Sequence, residues 1–241
     1  MEIIFLVSIL IVAFLYSSVG HGGASGYLAL MALFSIEPSL MRASALVLNL
    51  FVSSIAFAAF YKGGHFKMKI LLPFVITSIP MSFIGAQIEL NPTIYKVILG
   101  ICLLFAIARM LFIYEKRREK KRPLPFITGM FIGMLLGFVS GLIGIGGGII
   151  LSPVILLFNW ANMKETAAVS AIFILLNSAS GLLGLGLQGF TFNSELAIMV
   201  AVVVIGGLAG SFAGSFKLQH MSLKYILATV LMVASIKLLI L

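Results

Sequence analysis

Gly20-His21-Gly22-Gly23-Ala24-Ser25-Gly26 and Gly144-Ile145-Gly146-Gly147-Gly148 stand at matching places in a chain of 241 residues. Each stretch follows an apolar segment of span-like character and precedes a shorter apolar run. Glycine weakens a helix by adding backbone freedom. Backbone that leaves the helix at membrane depth survives only where protein buries it or where it lines a polar cavity. A pair of such interruptions, one in each half of an apolar chain, points to the solute site of a transporter.

The rest of the chain supplies the membrane. It is 61% hydrophobic and 10% charged, with mean hydropathy +1.21; soluble domains carry about 25% charged residues. Residues 123–163, 166–194 and 196–216 contain no Lys, Arg, Asp or Glu. A membrane span needs only about 18 such residues. The fold class expected is therefore all-α and polytopic. A transmembrane β-barrel is excluded, because its strands would alternate in polarity over about ten residues. The start, Met1-Glu2-Ile3, has no basic region and no small-residue cleavage site after it, so the first apolar segment is expected to be retained. The net charge of +9 is no nucleic-acid footprint. Its densest cluster, residues 115–122, reads as a cytoplasmic loop facing anionic headgroups. The single cysteine, Cys102, reads as a buried filler.

That cluster divides the chain into a first transmembrane repeat (1–114), a basic cytoplasmic linker (115–124) and a second transmembrane repeat (125–241). Gly20, Gly22 and Gly23 recur 124 residues later as Gly144, Gly146 and Gly147. Gly64 pairs with Gly189 and Gly85 with Gly210. Ala43-Ser44-Ala45 resembles Val169-Ser170-Ala171, and Asn49 and Asn177 follow, although the Ser-to-Asn spacing differs by two. As one helix, residues 3–36 would reach about 50 Å, too long for a hydrocarbon core of about 30 Å. A glycine-broken hairpin fits. Each repeat is then a hairpin plus three transmembrane helices, and an odd number of crossings inverts the second repeat relative to the first. Inversion leaves only Arg42, Lys96 and Lys237 of the basic residues outside. A parallel repeat leaves more of them there. The positive-inside rule thus favours inversion, with both termini extracytoplasmic.

Hairpins entering from opposite faces bring their glycine turns together at midplane. Short helices starting near Ala24 and Ile149 then aim their N-termini at the gap. A helix N-terminus offers unpaired N–H donors and about half a positive charge, which suits a small oxyanion. The candidate substrate-binding residues are Gly20, His21, Gly22, Gly23, Ala24, Ser25, Gly144, Gly146, Gly147, Gly148, Ser44, Asn49, Ser170 and Asn177. The competing reading is close helix packing, to which the ridge Gly129, Gly133, Gly137 and Gly141 is assigned. His21 could titrate during transport or stay neutral on a carbonyl; Ile145 at the equivalent place rules out a symmetric histidine mechanism. The serines could equally bond their own helices. Trp160 reads as an interfacial anchor.

The chain contains no Asp, and no Cys/His set has metal-ligand spacing. No catalytic constellation, metal or cofactor is expected, and neither loop carries the Gly-Lys-Ser/Thr of a phosphate-binding loop.

The two glycine motifs, Ser152-Pro153 after the second, the size, the span pattern and the basic linker resemble the TauE/SafE family of sulfite exporters, also called toluene-sulfonate uptake permeases. The first motif departs from the more usual form by carrying Ala24. The resemblance implies movement of small sulfur-containing anions such as sulfite, thiosulfate, sulfoacetate or sulfonates across the inner membrane. The expected partners are a small anionic solute and the lipid bilayer, with no nucleic acid and a homo-oligomer left open. Secondary transport is expected, by motion of one half against the other. An anion channel and a non-transporting scaffold subunit are the alternatives.

Overall fold

The computed structural model describes residues 3–18, 22–112, 121–187, 193–216 and 231–240. Gly20, His21, Gly189 and most of the basic linker lie outside the described residues. Among those described, all regular structure is helical. The helices are α1 (Ile3–Ser18), α2 (Ala24–Leu33), α3 (Pro38–Lys62), α4 (Met68–Ala86), α5 (Pro92–Phe112), α6 (Phe126–Ile143), α7 (Gly148–Leu157), α8 (Met163–Gly186) and α9 (Ser194–Phe216). A further apolar helix, α10, spans Leu231–Ile240. Five helices among the described residues, α3, α4, α6, α8 and α9, are long and apolar enough to cross a membrane.

Local signals set the ends. Pro38 occupies the first turn of α3 and Gly63 follows its last, the favoured placement of each residue. Asn162 accepts from the Glu165 N–H at 2.9 Å while the Glu165 carboxylate accepts from the Asn162 N–H at 3.1 Å. This reciprocal cap starts α8. α2 and α7 both begin at a left-handed glycine, Gly23 (φ 91°) and Gly147 (φ 73°).

Glycine contacts fix the helix directions. Gly129, Gly133, Gly137 and Gly141 of α6 meet Pro73, Phe74, Ser78 and Ser82 of α4 in ascending order, so α4 and α6 run parallel. Gly206 and Gly210 of α9 meet the carbonyls of Leu10 and Phe14 in α1, again ascending. Across the centre the order reverses: Leu46 of α3 packs on Gly181 of α8, and Asn49 on Ser178. Lys67 before α4 and Lys121 before α6 both reach Glu165 at the start of α8. Phe5 of α1, Leu40 of α3 and Glu195 of α9 share one cavity. Hence α1, α3 and α9 start at one end, and α4, α6 and α8 start at the other.

The most extensive helix contacts are α4 with α6, α1 with α9, and α3 with α8. All three join residues before the linker to residues after it. In these seams a Cβ on Gly133, Gly137 or Gly141 would collide with the carbonyl of Phe74, Ser78 or Ser82. The ridge read from sequence as packing therefore packs. Hydroxyls add cross-links: Thr77 Oγ1 donates to Met130 O at 2.6 Å, Ser17 Oγ to Gly207 O at 2.6 Å and Ser180 Oγ to Ile79 O at 2.6 Å. Such bonds are worth about 0.6 kcal/mol each on average between membrane helices.

Trp160, read as an interfacial anchor, is packed inside the protein. It is 6% exposed, its ring stacks on Phe158 at 4.9 Å between centroids, and Phe74 lies 6.1 Å away. The turn after α7 folds the indole inward, because Trp160 N–H bonds Ile155 O at 3.0 Å.

Candidate functional site

α1 rises towards the first glycine loop and α2 folds back beside it, with Gly26 pressed on Val12 and Tyr16. α6 rises from the opposite end, and Gly147 at the start of α7 sits over Ser140 and Leu136. The two turns meet around Asn49, which is fully buried on α3. A Cβ on Gly22 would lie 2.8 Å from Asn49 Oδ1, and one on Gly146 2.5 Å from its Nδ2. Nδ2 donates to Ile145 O at 3.3 Å and to Ser178 Oγ at 3.4 Å. Oδ1 is buried and has no hydrogen-bond partner.

Beside Asn49 lies a cavity of about 10 Å³, room for about one water. Gly22, Gly23, Ala24 and Ser25 form its wall from the first loop, Ile145 and Ile149 from the second, with Tyr16 and Ile174 closing it. Ser25 Oγ and Tyr16 Oη are hydrogen-bonded at 2.6 Å. The first bond of the α2 ladder runs from Tyr27 N–H to Gly23 O at 3.0 Å. The N–H groups of Ala24, Ser25 and Gly26 precede it and gain nothing from the ladder. In α7 the ladder opens on Gly147 O, which accepts from Ile150 and Leu151 at 3.2 and 3.1 Å. Two positive helix ends thus converge where Asn49 stands.

The predicted residues divide. Gly22, Gly23, Ala24, Ser25, Asn49 and Gly146 come together here. Gly147 and Gly148 shape the start of α7, against Phe173 and Ile174. Gly144 (φ 81°) ends α6 and rests on the Arg42 backbone. Gly20 and His21 lie outside the described residues. Ser44 lines a different cavity, about 70 Å³, with Phe5, Leu40, Glu195 and Met199. Ser170 Oγ pairs with Ser152 Oγ at 2.7 Å, in the α7–α8 seam. Asn177 Nδ2 donates to Ser78 Oγ at 3.0 Å and Phe173 O at 2.9 Å, in the α4–α8 seam. The residue of α8 that reaches the loops as Asn49 does is Ile174, touching both Gly22 and Gly146.

Sequence reasoning missed two supports of the second loop. Arg42, placed outside by charge counting, is 7% exposed. It donates through Nε to Gly141 O at 3.1 Å, through Nη1 to Ile88 O at 3.0 Å and through Nη2 to the carbonyls of Gly85 and Ala86. Tyr95 Oη donates to Ile143 O at 3.0 Å. Together they satisfy carbonyls at the ends of α4 and α6, which the ladders leave open. The signal was there: Arg42 is the only charge between Glu37 and Lys62.

Among the described residues, no three His, Cys, Asp or Glu side chains stand close enough to hold a metal ion.

A family model described as "Sulfite exporter TauE/SafE" matches residues 4–238. A probable membrane transporter protein, y4hK of Sinorhizobium fredii, is 35% identical over 238 residues, covering 97% of this chain and 96% of that protein. The probable membrane transporter protein YjnA of Bacillus subtilis is 28% identical over 253 residues, covering 95% and 96%. No solved structure matches the chain.

Proposed function

The chain belongs to the TauE/SafE sulfite exporter family and is a multi-pass membrane transporter; from that premise we propose that its cargo is a small sulfur-containing anion bound between the two glycine loops. Backbone N–H groups at the start of α2 and at Gly146 hold the anion. Asn49 and the Ser25 hydroxyl set its orientation. The single observation that supports this most is Asn49, a buried carboxamide set between two opposed glycine turns with one oxygen unpaired. Among the described residues no carboxylate lines this cavity to attract a cation.

The cavity has room for about one water, so the loops must part to admit an oxyanion and close again behind it. Opening and closing of a central site is the behaviour of a secondary transporter rather than of a continuous channel. The two repeats are read as inverted, in the inner membrane. Lys62, Lys67, Lys69, Lys121, Arg122 and Lys164 gather at one end of the bundle, and this end faces the cytoplasm. α1 starts and α10 ends at the other, so both termini face outward.

The test is flux into proteoliposomes loaded with sulfite, thiosulfate, sulfoacetate, taurine or sulfate in turn, with wild type beside Gly22→Ala. Gly22 is not left-handed, so alanine fits its backbone, yet the new methyl would press on Asn49 Oδ1 at 2.8 Å and Ile174 at 3.0 Å. Wild type should show saturable transport of a sulfur anion. Gly22→Ala should keep its fold and lose at least about 90% of that flux. Unchanged flux in the variant removes the loops from the mechanism.

A further inference from the structure

We propose that the site takes its anion in a form carrying one hydrogen-bond donor, such as hydrogen sulfite, and discriminates against anions that only accept. This rests on the anion reading above and adds to it the protonation state of the cargo.

The observation is the unpaired Asn49 Oδ1. The carboxamide cannot escape by turning over. Nδ2 faces Ile145 O at 3.3 Å, and a reversed amide would set oxygen against that carbonyl. Its orientation is therefore fixed by the second loop, and Oδ1 faces the first, at Gly22. Around it the cavity offers donors, the opening N–H groups of α2, which lie ahead of the helix ladder. Among the described residues the lining thus sets these N–H donors beside one unpaired carboxamide acceptor. A dianion or a plain sulfonate satisfies the donors, but turns an oxygen lone pair towards Oδ1 and strips it of water. A monoprotonated oxyanion satisfies both, its oxygens accepting from the loop and its O–H donating to Oδ1. A zwitterionic sulfonate could answer the same demand through an N–H. A buried acceptor left unpaired weakens binding by about tenfold or more; a site built to pair a donor rejects analogues that lack one more strongly than a site built on shape.

The experiment measures saturable sulfite exchange in proteoliposomes holding the full chain, with equal pH on both sides so that no gradient drives it. Raising pH across neutrality converts hydrogen sulfite to the dianion. Methanesulfonate and sulfate, which carry no proton there, are tested as competitors at each pH. The half-saturating concentration should stay constant when counted as hydrogen sulfite, and should rise about tenfold per pH unit above the ionisation when counted as total sulfite. Methanesulfonate and sulfate should inhibit at least about tenfold more weakly than hydrogen sulfite. The methanesulfonate constant should not move with pH, which separates titration of the cargo from titration of the protein. Equal inhibition by methanesulfonate, or half-saturation constant in total sulfite or in the dianion, overturns the donor requirement while the anion site stands. Absence of any saturable anion exchange overturns both.

Discussion

Asn49 and Arg42 both lie on α3, seven residues apart, and divide the work at the second loop. Asn49 holds Ile145 O from the cavity side, and Arg42 holds Gly141 O from behind. Asn49→Asp keeps the size but puts a negative charge beside the anion. It should cut anion flux at least about tenfold, since a like charge costs more than a lost hydrogen bond; flux and thermal melting measured together check that the loss lies in transport. Arg42→Met removes the guanidinium from four carbonyls, of which Gly85 O keeps a backbone donor, and should destabilise by about 2–4 kcal/mol, seen as a lower melting midpoint in detergent. Arg42→Lys keeps the charge without the planar fork and should fall between. The glycine turns were legible because membrane backbone has few reasons to break, and Asn49 because a carboxamide in lipid needs partners. Asn177 met the same criterion and sits elsewhere. Its place along α8 is three residues past Ile174, which turns it towards α4, and this register could not be read from spacing that disagreed by two. Tyr16 and Ile174 carried no signal, as aromatic and aliphatic residues crowd every span.

The helices themselves were plain in the hydropathy, and α2 and α7 start at Ala24 and Gly148, where the two short helices were expected. The partnership among them was not. Nothing in the sequence said that the ridge of α6 would choose α4, because glycine spacing states that a close neighbour exists without naming it. The contacts now separate glycines that matter from those that do not. Gly137→Ala sets a methyl into the Ser78 carbonyl of α4 and should lower the yield of folded protein sharply. Gly186→Ala meets nothing within 4 Å, sits in the last turn of α8 and should be neutral or stabilising by up to about 1 kcal/mol. Comparing the monodisperse fraction after detergent extraction tests both. An equal loss in the two variants would assign the glycines to backbone flexibility instead of contact.

Across the whole molecule the charges sort by end, with Lys67 and Lys121 gathered on Glu165 at one and Arg42 and Lys237 anchored on carbonyls at the other. In a Cys102→Ser background, a cysteine at Lys69 should react with an impermeant thiol reagent only from the cytoplasmic face, and one at Glu89 only from outside. Both reacting from one side would refute the orientation. The most extensive seams, α4 on α6 and α1 on α9, tie residues before the linker to residues after it. Glycine seated on carbonyl leaves no slack for sliding. A chain cut at the linker would still need both pieces woven together, like two hands clasped with fingers interlaced.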